Sequence, residues 1–207
     1  MPTVNARVAV LASGSGTNLQ ALMDHPVVGP WITLAVSDRE DARALERARA
    51  RGVAAVFVDP KAHADRASFD RAVLAVLGEH DIEYVALAGF MRILTPELVR
   101  AYAGRMLNLH PALLPAFPGA HGVRDALDWG VKVTGVTVHL VDEELDHGPI
   151  VAQEAVPVLP GDDWDSLEAR IHEAEHRIYP QALRALAEGR IKVEGRIVHV
   201  LEEPADE

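Results

Sequence analysis

Apolar residues fall in short runs, separated by segments with helical spacing. Residues 8–12 are wholly apolar and end at Ser13-Gly14-Ser15-Gly16, the pattern of a strand buried on both faces that runs into a turn. In residues 17–25, Leu19 and Leu22 are spaced for one helix face. Further strands are predicted at 31–37, 53–58 and 84–88. Helices are predicted at 41–50, with Asp38 or Asp41 as cap, and at 66–78, apolar at Phe69, Val73, Val76 and Leu77. This alternation predicts an α/β fold: a Rossmann-like, mostly parallel twisted sheet with right-handed crossovers, flanked by helices.

From residue 96 the pattern is less regular. A helix is predicted at 96–102, with Thr95 as N-cap and Pro96 in the first turn. A strand follows at 105–110, then a loop at 111–122 holding three prolines and two glycines, then a short helix at 123–129. Residues 132–141 and 150–158 alternate as strands across the acidic loop 142–149, an antiparallel extension of the sheet. A long helix is expected at 163–187, interrupted or bent near Pro180, then a hairpin at 191–201 around Glu194-Gly195 and a frayed tail at 202–207. Nothing in the pattern marks a repeat or linker, so one continuous sheet in a single domain over 1–207 is expected.

Composition narrows the chemistry. Lys and Arg number 20 against 31 Asp and Glu, a formal charge of −11. That excludes a general clamp on a nucleic-acid backbone, yet it leaves room for one phosphate held by backbone N–H groups. The absence of cysteine removes disulfides, thiolate metal sites and cysteine nucleophiles. The longest apolar run, 84–91, is far short of the roughly 18 residues of a membrane span, and residues 1–7 are too short and polar for a signal peptide. A cytoplasmic protein with small-molecule substrates, no nucleic acid and no membrane partner is expected.

The glycine loop sits where a strand end opens a helix, an arrangement that makes an anion site from successive N–H groups and the helix dipole. The third glycine of a dinucleotide fingerprint would fall at Leu19, and no Lys-Ser or Lys-Thr follows as in a P-loop. A single phosphomonoester fits better than a pyrophosphate. Asp38, at the end of the second strand, keeps a ribose-binding reading open, and a tight turn without ligand is the plainer alternative.

Asn108-Leu109-His110-Pro111 is the most informative stretch. Strand alternation puts Met106, Asn108 and His110 on one face and Leu107 and Leu109 on the other. If the leucines enter the core, an amide and an imidazole project together. A neutral N–H donor beside a protonated imidazole suits an oxyanion that develops during attack on a carbonyl. A satisfied polar strand edge is the alternative. Asp146, where the acidic loop must re-enter the sheet, is a candidate to orient the imidazole and raise its pKa. Spacing alone does not bring it to His110.

Four segments together carry a resemblance. They are Ser13-Gly14-Ser15-Gly16-Thr17-Asn18-Leu19-Gln20, Ala88-Gly89-Phe90-Met91-Arg92-Ile93-Leu94, Asn108-Leu109-His110-Pro111-Ala112-Leu113-Leu114-Pro115 and Leu145-Asp146-His147-Gly148-Pro149. In this order, from about residue 7 to about 190, the chain resembles the phosphoribosylglycinamide formyltransferases. The resemblance implies formyl transfer from 10-formyltetrahydrofolate to the amine of 5′-phosphoribosylglycinamide, without a metal, by a monomer or homodimer. It implies that Gly16, Thr17 and Asn18 hold the ribose phosphate and that Glu175 contacts the ribonucleotide. Arg66, Met91, Arg92, Ile93 and Leu94, with Asn108, Asp142, Glu143, Glu144, Leu145 and Asp146, would form the folate cleft. Asn108, His110 and Asp146 would be catalytic. Residues 7–103 would then form a nucleotide-phosphate half, 104–190 a catalytic and folate-binding half, and 191–207 a hairpin and tail. A cis bond between Leu114 and Pro115 is also implied. His172 stands where some members carry Gln, and Ala120 where Leu is more usual.

Rival readings are weaker. Formyltransferases acting on methionyl-tRNA or nucleotide sugars carry extra domains, which 207 residues are not expected to hold. A formyltetrahydrofolate hydrolase would need a regulatory domain before the glycine loop. A nicotinamide-dependent oxidoreductase would need the third glycine. His121, His139 and His147 match no common zinc spacing; His139 is expected to be structural and His121 to stand behind the site.

Overall fold

The computed structural model describes residues 5–202. Residues 203–207 of the expected tail lie outside them. Five parallel strands come first: β1 (Val8–Leu11), β2 (Ile32–Ser37), β3 (Ala54–Phe57), β4 (Tyr84–Leu87) and β5 (Met106–His110). The helices between them are α1 (Thr17–Asp24), α2 (Arg43–Ala50), α3 (Arg66–Glu79) and α4 (Pro96–Ala101). After α5 (Gly122–Trp129), strands β6 (Val133–Leu140) and β7 (Ile150–Pro157) add antiparallel to β5, giving the sheet order β3-β2-β1-β4-β5-β6-β7. Helix α6 (Trp164–Ala187) and a separate hairpin, β8 (Ile191–Glu194) with β9 (Ile197–Val200), complete the chain.

Both faces of the sheet are covered, which is why the parallel strands read as continuous apolar runs. Val8 and Val10 enter one core with Leu19, Leu45, Leu107, Leu109 and Leu183; Ala9 and Leu11 enter the other with Phe69, Leu77, Leu98 and Met106. The order reverses between β1 and β4, whose chains diverge to opposite halves of the sheet. In open α/β sheets that crevice, beyond the carboxyl ends of the strands, is where ligands bind.

Two local expectations are corrected, at α2 and α6. Helix α2 is preceded by Ala42, without a side-chain cap. Asp41 pairs with Arg39 at the surface, and Asp38 turns inward. Thr95 is the N-cap residue of α4, as expected, although its hydroxyl makes no cap bond; its N–H donates to the fully buried Asp70, at 2.5 Å. Helix α6 runs unbroken through Pro180, because a buried face including Ile171, Ala174, Tyr179 and Leu183 holds it against the sheet.

Tyr179 ties α6 to the crevice. Its buried hydroxyl donates to the Leu87 carbonyl at 2.9 Å, at the end of β4. Removing it leaves that carbonyl short of a partner. Tyr179→Phe is expected to lower unfolding stability by about 1–2 kcal/mol, read as a lower urea midpoint at unchanged m, with turnover close to that of the unaltered protein.

Candidate active site

The loop after β1 is shaped by one glycine. Gly16 has φ 69°, and a Cβ there would lie 2.6 Å from the Ala44 Cα, so both backbone conformation and packing of α2 demand glycine. Helix α1 then begins with no side-chain cap and no acid in its first turn, which leaves its leading N–H groups for an external acceptor. Thr17 opens the helix, half-buried. The Asn18 amide donates to Glu175 Oε2 at 2.8 Å, across 157 residues of sequence, and the same oxygen meets His172 Nδ1 at 2.7 Å. Bonding to Glu175 holds the His172 ring above the usual histidine range. Gly16, Thr17, Asn18 and Glu175 are thus brought together. Arg47, which sequence reasoning missed, steadies the loop by donating to the Ser15 carbonyl at 2.8 Å.

The second cluster stands at the end of β5. Leu107 and Leu109 enter the core, as the alternation predicts. The antiparallel register sets Asn108 opposite His139 and His110 opposite Thr137. His139 donates Nδ1–H to the Leu140 carbonyl at 2.9 Å, so in the neutral ring Nε2 carries a lone pair and accepts from the Asn108 amide at 3.1 Å. The other amide N–H points to Asp146 Oδ1 at 3.2 Å. Asp146 Oδ2 takes the Gly119 N–H at 2.7 Å and lies 3.5 Å from His110 Nδ1. His110 in turn donates Nε2–H to the Phe117 carbonyl at 2.8 Å. Residues 117–119 therefore clamp both side chains through the backbone. Phe117 and Asp146 have φ of 54° and 51°, left-handed conformations that cost roughly 1–3 kcal/mol each and persist where the surroundings over-determine them. The Leu114–Pro115 bond in the same loop is cis.

Burial is the largest single influence on both ionisable groups, and for Asp146 its partners together outweigh it. Burial pushes the Asp146 carboxyl up, but the His139 ring, the Gly119 N–H and the His110 ring together hold it below the usual carboxylate range. Burial pushes His110 down, and the Asp146 charge and the Phe117 carbonyl restore only part of the loss. The lowered pKa favours the neutral ring, with Nε2–H directed to the Phe117 carbonyl and Nδ1 bare.

Above this cluster opens a cavity of about 440 Å³, lined by Leu87, Phe90, Leu94 and Val141 together with Asn108, His110 and Asp146. Met91, Ile93 and Leu145 stand at its rim, more than half exposed. Arg92 lies 4.5 Å from the Phe69 ring centroid and 3.8 Å from Asp38. Asp142 and Glu144 also border the cavity; Asp142 meets His147 Nδ1 at 2.9 Å. Glu143 is held by Arg100 through two bonds of 2.6 and 2.9 Å. Arg66 sits exposed in the first turn of α3, outside the cavity lining. His121 is exposed at the start of α5. The cavity draws on residues from both expected halves. Sequence reasoning also missed His139 as the partner of Asn108, because the register that sets the two opposite one another is not visible in the sequence.

Among the described residues, no three His, Asp or Glu are grouped to hold a metal, and no helix is long and apolar enough to cross a membrane.

The sequence family described as formyl transferase matches residues 6–183. A phosphoribosylglycinamide formyltransferase of Mycobacterium tuberculosis (strain ATCC 25618 / H37Rv) is 48% identical over 196 residues, covering 94% of this chain and 91% of that protein. The trifunctional purine biosynthetic protein adenosine-3 of Bos taurus is 45% identical over 203 residues, 96% of this chain; the chain spans 20% of that protein's length. Among solved structures, glycinamide ribonucleotide transformylase 1 from Symbiobacterium toebii matches with a TM-score of 0.93 at 48% identity, covering 96% of this chain and 95% of that one.

Proposed function

The chain belongs to the formyl transferase family, and on that premise we propose that it moves the formyl group of 10-formyltetrahydrofolate onto the amine of 5′-phosphoribosylglycinamide, in purine biosynthesis. The observation that carries the assignment of residues is the meeting of Asn108, His110 and Asp146, 38 residues apart at the extremes, on the floor of one cavity. The apolar walls at Phe90, Leu94 and Val141 suit a flat heterocycle, and the backbone and carboxylate groups of residues 142–145 suit its polar edge. When bound there, the folate supplies a formyl carbon already activated by its nitrogen.

The protein's own part divides in two. At the glycine loop, the uncapped start of α1 holds the acceptor phosphate, while Asn18 and Glu175 orient the ribose. At the cavity floor, Asn108 offers an N–H to the carbonyl oxygen as its charge grows. The attacking amine must lose a proton. The bare Nδ1 of His110, backed by ionised Asp146, receives it directly or through one water, and the ring becomes charged as the oxygen does. As the oxyanion collapses, the bond between the formyl carbon and the folate nitrogen breaks and the proton held by His110 passes to that nitrogen, leaving tetrahydrofolate, the formylated amine and a neutral ring. The 3.5 Å gap between Nδ1 and Asp146 is longer than a hydrogen bond and closes when a proton lies between them.

Mixing the protein with both substrates and following folate absorbance tests the assignment: turnover requires both, and its absence with both present would refute it. The loop assignment has its own check. Acceptor lacking the 5′-phosphate is expected to lose at least about 10²-fold in kcat/KM, as remote binding energy that orients the amine disappears. Equal kinetics for the two acceptors would remove the phosphate from the glycine loop.

A further inference from the structure

Residues 88–95, which bring Phe90, Arg92 and Leu94 to the cavity wall, lie outside any helix or strand. Two backbone bonds fix their start, from the Ala88 N–H to the Leu11 carbonyl and from the Ser13 N–H to the Gly89 carbonyl; beyond Gly89, side-chain bonds set their shape. At the far end, Asp70 holds the Thr95 N–H. At the near end, the bonds converge on Ser13, the first residue of the glycine loop.

Asp38, the acid that ends β2, has no part in the reaction described above. At this position in dinucleotide-binding folds an acid holds a ribose. Here its side chain is only 9% exposed and accepts the Ser13 hydroxyl at 2.6 Å. A hydroxyl has one proton, and this one is committed to Asp38, so a lone pair is left for the Met91 N–H, which it accepts at 2.9 Å. The Ser13 N–H donates to the Gly89 carbonyl at 3.0 Å, and the second Asp38 oxygen lies 3.8 Å from Arg92. Residues 89–92 are therefore tied to Ser13 by two hydrogen bonds and to Asp38 by a charge.

We propose that Ser13 and Asp38 are positioning residues for the formyl donor: Asp38 orients the Ser13 hydroxyl, and the hydroxyl fixes residues 89–92 in the shape that seats the donor. The inference rests on reading the cavity as the donor cleft. If Asp38 is lost, the hydroxyl proton is free to turn toward the Met91 N–H, and an acceptor becomes a clash of two donors.

Steady-state kinetics with each substrate varied, and calorimetric titration with tetrahydrofolate, test this. Ser13→Ala is expected to raise the donor KM and the tetrahydrofolate dissociation constant about tenfold, with kcat and acceptor KM unchanged. Ser13→Thr, which keeps the hydroxyl, restores donor binding. Asp38→Asn keeps an oxygen for the hydroxyl but loses the charge beside Arg92, and gives the same split at smaller size. Donor binding left intact in Ser13→Ala, or donor and acceptor KM rising equally in either Ser13→Ala or Asp38→Asn, overturns the proposal. If the unaltered protein fails to bind tetrahydrofolate, the donor-cleft reading itself falls and takes this inference with it.

Discussion

Replacing Asp146 with alanine is expected to lower kcat by about 10²–10⁴, with the fold intact. Four groups meet on this carboxylate: the Asn108 amide, the Gly119 N–H and the His110 and His139 rings. Its charge is what offsets part of the burial that pushes the His110 ring toward neutrality. Without it, the ring's pKa falls further, and the base that must accept the amine proton weakens in the same step. The phenotype is therefore a loss in kcat, not in the affinity for either substrate. Asp146 also sits at φ 51°, a conformation glycine adopts freely. Asp146→Gly relieves that strain but keeps no carboxylate, so it should be as slow as Asp146→Ala while melting higher. Near-normal turnover in Asp146→Ala, with a native melting profile, would take this residue out of the mechanism. The pH dependence of stability has a definite sign. The folded carboxyl titrates below its unfolded value, so its contribution is present at neutral pH and is lost as pH falls through the depressed value.

What the sequence could tell about this site follows the range of the physics involved. Alternation within one strand is local, and it placed Asn108 and His110 on one face and Leu107 and Leu109 in the core. The loop at Gly16 is equally local, because a strand end, a left-handed glycine and an uncapped helix lie within ten residues of one another. The contacts that set proton positions are not local. His139 reaches Asn108 only through the register of β6 against β5, and the Phe117 carbonyl reaches His110 only once the proline-rich loop has turned back. The net direction of the His110 shift is out of reach of the sequence for the same reason. An acid nearby raises a histidine, but how deeply the pair is buried decides the outcome, and burial is a property of the packed chain. Asp38 shows a local rule yielding to a distant partner. An acid before a helix reads as a cap, yet a hydroxyl 25 residues away claimed it.

Asn108→Ala is expected to cost about 10²–10³ in kcat, with the donor KM nearly unchanged. Both amide protons are already placed: one toward His139 Nε2, the other toward Asp146 Oδ1. His139 cannot release the first without losing its only donor on that nitrogen. The second bond, at 3.2 Å, is the longer, and its acceptor has the Gly119 N–H at 2.7 Å on its other oxygen. As negative charge gathers on the formyl oxygen and a proton moves onto the His110–Asp146 pair, Asp146 loses its need for the amide while the oxygen gains one. The amide N–H then strengthens its bond to substrate in the transition state more than in the ground state, which is the condition for an effect on kcat. Asn108→Asp should be slower still, since it sets a second carboxylate beside Asp146 and offers no donor. A fall in kcat/KM that appears wholly in the donor KM, at unchanged kcat, would confine Asn108 to donor binding and deny it the oxyanion role.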